Sequence, residues 1–285
     1  MGQQEQSRKT YPSELTDAHW AIVGPMLPPA TQSTRGGRPR EGDMREVLNT
    51  IFSLHRSGCQ WDMLPHAVLP KRTVEDYVAQ WRDAGTWDSL VRALREQLRV
   101  PAGREPTPSA VCLESQAVTT TAMGGPARGE DGGQNIPGRQ RHLVVETLGW
   151  LLAVVMASAD LDAGVAAPPL LSHITPHAFP RLVTIFADRK SHNHDLDVWR
   201  AEHRAGWRLV VPARPEGTKG LAPLENRWVM ARTNAGHGRS RRHRKDSERR
   251  VASRTAMIQR SHRHLMLHRL PPCGRPAFHY RQEAA

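Results

Sequence analysis

Apolar residues in the first hundred positions recur at helical spacing. After Asp43 they stand at i, i+3, i+4, i+7 and i+8, and similar periods follow Thr16, Thr73 and Thr86. The pattern predicts four short helices that begin near these residues. Short helices with tight turns and Arg-rich outer faces are typical of helix-turn-helix DNA-binding domains, although any small helical bundle shows the same periodicity.

Beyond residue 110 the helical period gives way to continuous apolar runs. "RHLVVETLG" and "WLLAVVMAS" are separated by a glycine turn, which predicts a β-hairpin. The runs "AVCLES" and "RLVTIFAD" each end in a carboxylate, at Glu114 and Asp188, and "WRLVVPA" closes the set. Helix-like segments lie between these runs, so the pattern predicts a mixed α/β domain.

Composition divides the chain into five parts. Residues 1–10 are polar and are expected to be disordered, as are residues 271–285. The Pro-rich stretch "VPAGREPTPSA" predicts a linker over 100–110. It separates a helical domain over 11–99, which we expect to bind DNA, from the α/β domain over 111–270.

Positive charge is concentrated towards the end of the chain. The 285 residues carry a formal charge of +12, and residues 227–269 hold thirteen Arg or Lys against two acids. Such a field suits nucleic acid, whereas a solvated face or a disordered tail is the commoner origin of a charge run. Apolar residues interleaved with the charges, such as Val251, Ile258 and Leu265, favour a folded basic helix.

Several other classes of protein find no support in the sequence. The three cysteines are odd in number and show no CxxC spacing, so neither a disulfide framework nor a zinc site is indicated. His192 and His194 have no further ligand at zinc-binding spacing, and we expect them to lie near DNA. No window approaches eighteen apolar residues and no signal peptide precedes the first helix, so we expect a soluble, cytoplasmic protein without membrane contact.

Taken without further context, Glu114 and Asp188 are either metal ligands or ordinary solvated residues at strand ends. The ordered blocks around them add a resemblance. "YPSELTDAHW", "TVEDYVAQWRDAGTWDSL", "ADRKSHNHDLDVW" and "NRWVMARTNAGHGRSRRHRKDSERR" resemble the bacterial insertion-sequence transposases of the DDE type, in the IS-five family. The resemblance runs from about Tyr11 to about Leu270.

The resemblance implies a ribonuclease-H-like fold, in which a mixed sheet with flanking helices follows the small all-α domain. It also implies two carboxylates on adjacent strands and a third on a later helix. Such a triad holds two Mg²⁺ ions that activate a water or a 3′-hydroxyl for attack on a phosphodiester. Magnesium is a hard ion that takes oxygen ligands, which is why carboxylates serve there. Glu114 and Asp188 are the implied catalytic and metal-binding residues.

This chain departs from the family at the triad. Glu114 stands where the family has Asp, and Ala231 stands where it has the third acid. Asn234 and Gly236 replace aromatic residues after that position. Pro168 and Pro169 fall in a segment expected to be helical, where each would break hydrogen bonding. These departures predict a degenerate copy that cleaves DNA poorly.

The resulting prediction is a transposase that binds duplex DNA, at the element's terminal inverted repeats and at the target, as a homo-oligomer near the bacterial nucleoid. The alternative is a non-catalytic DNA-binding protein that occupies the element ends. A third possibility, a general basic nucleic-acid protein, does not account for the ordered blocks. The residues expected to contact phosphate are Arg227, Arg232, Arg239, Arg241, Arg242, Arg244 and Lys245.

Overall fold

A computed structural model describes residues 9–28, 43–187, 194–202, 206–212, 217 and 227–270. Asp188 and His192 lie outside these residues, as do the two expected disordered tails apart from residues 9 and 10. His194 begins a helix, but its side chain also lies outside the description. No helix in the described part of the chain is long and apolar enough to cross a membrane.

The four predicted N-terminal helices are present. They are α1 (Asp17–Val23), α2 (Met44–Ser57), α3 (Lys71–Asp83) and α4 (Thr86–Arg99). Thr16 and Asp43 cap α1 and α2 through their side-chain oxygens, as their positions predict. The expected start of α3 at Thr73 is wrong by two residues: the helix begins at Lys71, directly after Pro70, which forms the N-cap.

The second half of the chain forms a mixed sheet. Its strands are β1 (Ala110–Thr119), β2 (Gly129–Asp131), β3 (Ile136–Glu146), β4 (Leu151–Ser158), β5 (Thr184–Phe186) and β6 (Arg208–Val210). The spatial order is β4–β3–β1–β5–β6. The short strand β2 pairs with the first residues of β3, on the same side of β3 as β4. The β3–β4 hairpin is confirmed, β1 runs antiparallel to β3, and β5 and β6 run parallel to β1. This is the expected ribonuclease-H-like mixed sheet.

Helices cover both faces of the sheet. One face packs against α5 (Ala163–Leu171) and α6 (His194–Glu202), and the other against α7 (Arg227–Gly238) and α8 (Val251–Leu267). The C-terminal end of α8 also enters the core of α1 to α4, where Met266 and Leu267 are buried. The N-terminal helices therefore share a core with the last helix of the α/β region.

The segment that contains Pro168 and Pro169 is helical, as expected, and the two prolines do not end the helix. Both lie inside α5, which begins with Asp162 accepting a hydrogen bond from the Gly164 amide at 2.7 Å. Leu170 and Leu171 of the same helix are buried against the sheet. Burial of this apolar face offsets the backbone hydrogen bonds that the two prolines cannot make.

A buried ion pair joins the sheet to the segment between α7 and α8. Arg139 Nη1 lies 3.0 Å from Asp246 Oδ2, and both side chains are 0% exposed. The Arg139 guanidinium also donates to the carbonyl oxygens of Ala127, Glu248 and Arg249. The Asp246 backbone also forms a parallel β-bridge with Thr120, directly after the end of β1. The contact fixes the position from which α8 starts.

Four buried histidines form a cluster that involves α2, α7, α8 and the segment between α7 and α8: His55, His237, His243 and His262. His237 Nε2 lies 3.1 Å from His262 Nδ1, and the ring of His243 lies 5.9 Å from that of His237 and 6.0 Å from that of His55. Burial is the largest cause that lowers their pKa values, and the nearby guanidinium groups of Arg141, Arg242, Arg254, Arg260 and Arg263 add to it. The pKa of His262 falls to about 3.

We predict that Asp246→Asn destabilises the protein by about 3–5 kcal/mol, because it leaves the Arg139 charge buried and unpaired. Urea unfolding of the full chain measures this change. Asp62→Asn is the control, since the Asp62–Lys71 ion pair is largely solvent-exposed and its loss should change stability little. Equal stability of the two variants would contradict the structural role of the buried pair.

We also predict that the buried histidines make the protein unstable in acid. Their folded pKa values lie below the unfolded value near 6.5, so their contribution is complete above that pH and is lost as the pH falls. Each neutral buried histidine should cost about 1.4 kcal/mol per pH unit below about pH 6. The measurement is urea unfolding at several pH values between neutrality and mild acid.

Two histidine variants provide the control for the acid experiment. His243→Gln should reduce the dependence of the unfolding free energy on pH, because one buried titrating group is removed. His66→Gln should not, since His66 is exposed. An unfolding free energy that stays constant through this pH range would show that the cluster does not titrate on unfolding.

Candidate functional site

Glu114 lies in the middle of β1, where the strand loses one of its neighbours. The prediction that its run ends at the carboxylate is wrong, because β1 continues to Thr119 in pairing with the long strand β3. The parallel pairing with β5 is shorter and ends at Cys112 and Phe186. Glu114 is two residues beyond that last pair and is half-buried. Asp188 stands at the same distance in sequence after Phe186, outside the described residues.

Helix α7 faces Glu114. The side-chain amide of Asn234 donates to Glu114 Oε1 at 2.8 Å, across 120 positions of sequence. Two further contacts hold the helix in place: Val229 is buried against the sheet, and the Thr233 hydroxyl donates to the Gly149 carbonyl at 3.2 Å. Helix α7, which carries Ala231, is therefore packed beside Glu114.

Ala231 precedes Asn234 by three residues on this helix. Residues three apart in an α-helix are neighbours on one face, so Ala231 belongs to the side of α7 that carries the Glu114 contact. Ala231 is exposed, and its methyl group offers no donor or acceptor. A longer acidic side chain at this position would have space to extend, whereas alanine supplies no metal ligand.

Two side chains of the protein, those of Asn234 and Arg141, interact with the Glu114 carboxylate. Arg141 on β3 is buried, donates through Nε to Gln116 Oε1 at 2.9 Å, and interacts electrostatically with Glu114. Burial is the largest cause that lowers the pKa of Arg141 to about 10, and the guanidinium remains cationic at neutral pH. Asn234 and Arg141 thus give the Glu114 carboxylate a neutral hydrogen-bond donor and a nearby positive charge.

The described residues do not by themselves fit a site for two metal ions. They contain no group of three or more His, Cys, Asp or Glu side chains that could hold an ion. Glu114 is the one member of the expected acidic set that they include, and Ala231 contributes no ligand. The nearby thiol of Cys112 is no substitute, because burial raises its pKa to about 12 and keeps it protonated.

The residues predicted to bind phosphate differ in exposure. Arg239, Arg241, Arg244 and Lys245 are exposed and follow one another between the end of α7 and the start of α8. Arg232 is also exposed, although it donates to the Leu148 carbonyl oxygen. The side chain of Arg227 lies outside the described residues.

Arg242 is an exception among these residues and corrects the sequence-based expectation. It is 8% exposed, and its guanidinium contacts Glu248 Oε1 through Nη2 at 2.6 Å and through Nε at 3.0 Å. Its Nη1 donates to the Cys59 carbonyl oxygen at 2.8 Å. A phosphate could reach Arg242 only by breaking this buried ion pair, so we exclude it from the DNA surface.

Part of the positive charge in α8 is also internal. The expected folded basic helix is present, but Arg254, Arg260 and Arg263 are buried within it. Arg263 donates to the Trp87 carbonyl oxygen at 2.8 Å and its guanidinium stacks over the Trp87 ring. This burial could not be predicted from charge alone, because an arginine that packs between helices has the same charge as one that faces solvent.

Two family models match the chain. Residues 15–91 match a family described as "Putative transposase of IS4/5 family", and residues 105–266 match the "Transposase DDE domain". No curated protein matches the chain. The second match covers more than half of the sequence, so the chain belongs to the DDE-domain transposase family of insertion sequences. Transposases act on DNA, and those of the DDE class generally use divalent metal ions.

Proposed function

We propose that this chain is an insertion-sequence transposase that binds the ends of its element and retains only weak DNA cleavage. The observation that carries the proposal is the contact between α7 and Glu114. It supports the assignment of α7 as the helix of the third acid, and at that position the chain has Ala231. Helix α7 is packed where the third carboxylate would be needed, but Ala231 has no carboxylate to offer a metal ion.

Charge explains why the loss matters. Two divalent ions carry four positive charges, which three carboxylates offset while fixing the separation of the ions. In the proposed site Glu114 and Asp188 supply two negative charges, and Arg141 adds a positive charge close to Glu114. Magnesium is the ion expected from the family, and we propose that one ion binds weakly and a second is poorly retained.

The side chain of Glu114 adds a second defect. Glutamate is one methylene longer than the aspartate of the family, which moves the carboxylate by about an ångström, and misplacement of that order costs about 100-fold in rate. In this structure the carboxylate is held by the Asn234 amide. A neutral amide donor at that oxygen competes with a cation for the same lone pairs.

The proposed DNA surface is the exposed segment made of Arg239, Arg241, Arg244 and Lys245, together with Arg232 and Arg227. Arg232 lies on α7 directly after Ala231, and the exposed segment follows the end of that helix, so we propose that DNA bound there extends towards Glu114. We propose that the N-terminal helices contribute the sequence-specific contacts in a helix-turn-helix manner and that the protein assembles as a homo-oligomer on DNA, close to the bacterial nucleoid.

A second candidate function follows from the same geometry. If cleavage is lost entirely, the protein is a non-catalytic DNA-binding protein that occupies the element ends and competes with an active copy. The exposed basic segment is common to both functions, and the missing ligand at Ala231 favours the second. Metal-dependent nicking of DNA that carries the element ends separates the two.

We predict salt-sensitive binding to duplex DNA that depends on the exposed basic residues. Arg244→Ala should lower the slope of log affinity against log salt by about 0.9, as expected for one lost phosphate contact. Fluorescence anisotropy with a labelled duplex at several salt concentrations measures the slope. Arg181→Ala is the control, because Arg181 is exposed but lies beside Glu105, away from α7. Identical slopes for both variants would exclude this segment as the DNA contact.

We predict that Ala231→Glu combined with Glu114→Asp raises magnesium-dependent nicking well above that of the unmodified chain. The change restores the third carboxylate and shortens the first without altering the basic surface. The assay is nicking of a supercoiled plasmid that carries the element ends. Ala231→Gln with Glu114→Asp has the same shape without the added charge and should stay inactive.

Two outcomes would count against this account of the site. Vigorous cutting by the unmodified chain, abolished by Asp188→Ala, would show that Ala231 does not disable catalysis. Absence of nicking by the restored variant, in a preparation that is folded and binds DNA normally, would show that α7 does not carry the third ligand position.

A further inference from the structure

A groove of about 780 Å³ runs along the outer edge of the sheet, away from Glu114. Its floor includes five successive residues of β4, from Leu152 to Met156. Successive residues of a strand point to opposite faces of a sheet, so a groove that touches all five must follow the edge of the strand. The walls come from α4, from the first half of α8 and from the loop after α5 that carries Phe179.

The edge of β4 carries backbone groups that are directed away from β3. Ala159 N donates to the Gly138 carbonyl oxygen at 3.1 Å, which makes Gly138 and Ala159 a hydrogen-bonded pair of the antiparallel ladder. Such pairs alternate with pairs whose amides and carbonyls point outward. Following the register, the outward groups along the groove belong to Val154 and Met156. Neither residue has an outward backbone partner among the described residues.

A buried arginine lines the same groove. Arg95 on α4 is 5% exposed, and its guanidinium lies over the Phe179 ring at 5.2 Å. Its Nε is buried and has no hydrogen-bond partner. Desolvation lowers the pKa of Arg95 to about 10, so the group stays charged at neutral pH.

Glu146 and Glu96 interact electrostatically with Arg95, but in the described part of the chain neither carboxylate forms an ion pair with it. Glu146 accepts from Arg99 and from the amides of Leu148 and Trp150, both at 3.0 Å. Asp88, which also lines the groove, accepts from Gln259 at 3.3 Å. A buried cation without an acceptor is costly, and a bound anion would offset that cost. The groove also has two further arginines at its rim, Arg82 and Arg92.

We propose that this groove binds an extended acidic peptide of a partner protein, which adds a strand to β4 and places one carboxylate on Arg95. A peptide backbone alternates donors and acceptors and so matches the outward amides and carbonyls of Val154 and Met156. A phosphodiester chain offers acceptors alone and would leave the strand carbonyls unpaired, which favours a peptide over nucleic acid. Apolar side chains two positions from the acid would contact Val91, Val155 and Phe179. The proposal depends neither on DNA binding nor on the metal site.

The test uses the full chain and a phage-displayed library of random seven-residue peptides. Enriched peptides should carry Asp or Glu with an apolar residue two positions away. The strongest of these, synthesised and labelled, is measured by fluorescence anisotropy, and replacing its acid with the amide should weaken binding about 10- to 100-fold, as for a lost charge-assisted hydrogen bond. Methylating alternate backbone nitrogens of the peptide should also abolish binding, since it removes the strand-pairing donors.

Variants of the protein give a matched comparison. Arg95→Gln should weaken binding as much as the amide peptide does, whereas Arg72→Gln, an equal change of charge at an exposed residue outside the groove, should not. The melting temperature of Arg95→Gln should stay constant or rise, because an unpaired buried charge is removed. Hydrogen exchange of the unmodified chain needs no variant: the peptide should slow exchange at the amides of Val154 and Met156.

Several results would overturn the proposal. These are the absence of any enriched peptide, enriched peptides without an acid, equal binding by Arg95→Gln, or unchanged exchange at Val154 and Met156. Arg95-dependent binding of a single-stranded oligonucleotide, with no peptide enriched, would identify a nucleic-acid groove instead.

Discussion

The buried pair between Arg139 and Asp246 is the contact on which the arrangement of the second half of the chain depends. Arg139 lies on the central antiparallel strand, and its guanidinium holds one carboxylate and three backbone carbonyls. These partners fix the segment that joins α7 to α8. Because α8 then crosses the sheet and enters the core of the N-terminal helices, the same contact connects the two regions of the fold.

If α7 carries the proposed third ligand position, this arrangement explains how that position persists without an acidic side chain. Helix α7 is placed by Val229 and Thr233, which contact the sheet and the hairpin turn, and not by the side chain at position 231. The helix therefore packs beside Glu114 although Ala231 makes no contribution there. Asn234 binds the Glu114 carboxylate in a way that needs no metal. The absence of an acid at position 231 and the packing of α7 on the sheet are compatible because they depend on different residues of one helix.

Much of the fold was predictable from the sequence, because apolar periodicity and capping residues are local signals. Thr16, Asp43 and the glycine turn of the hairpin each act within a few residues. The continuation of β1 beyond Glu114 was not predictable, since it depends on pairing with β3. The burial of Arg242 and Arg95 was not predictable either, because the charge of a residue does not indicate whether it faces the core or the solvent. The resemblance identified Ala231, but the contact from Asn234 joins residues 120 positions apart and required the structure.

The proposed site lacks the ligands for two metal ions, and the number of ions bound per protein decides whether this is so. Electron paramagnetic resonance with Mn²⁺ in place of magnesium measures the number of ions bound per protein in the presence of DNA. The Glu114→Ala variant gives the background from other carboxylates. We expect less than one tightly bound ion above that background. Two tightly bound ions in the unmodified chain would contradict it.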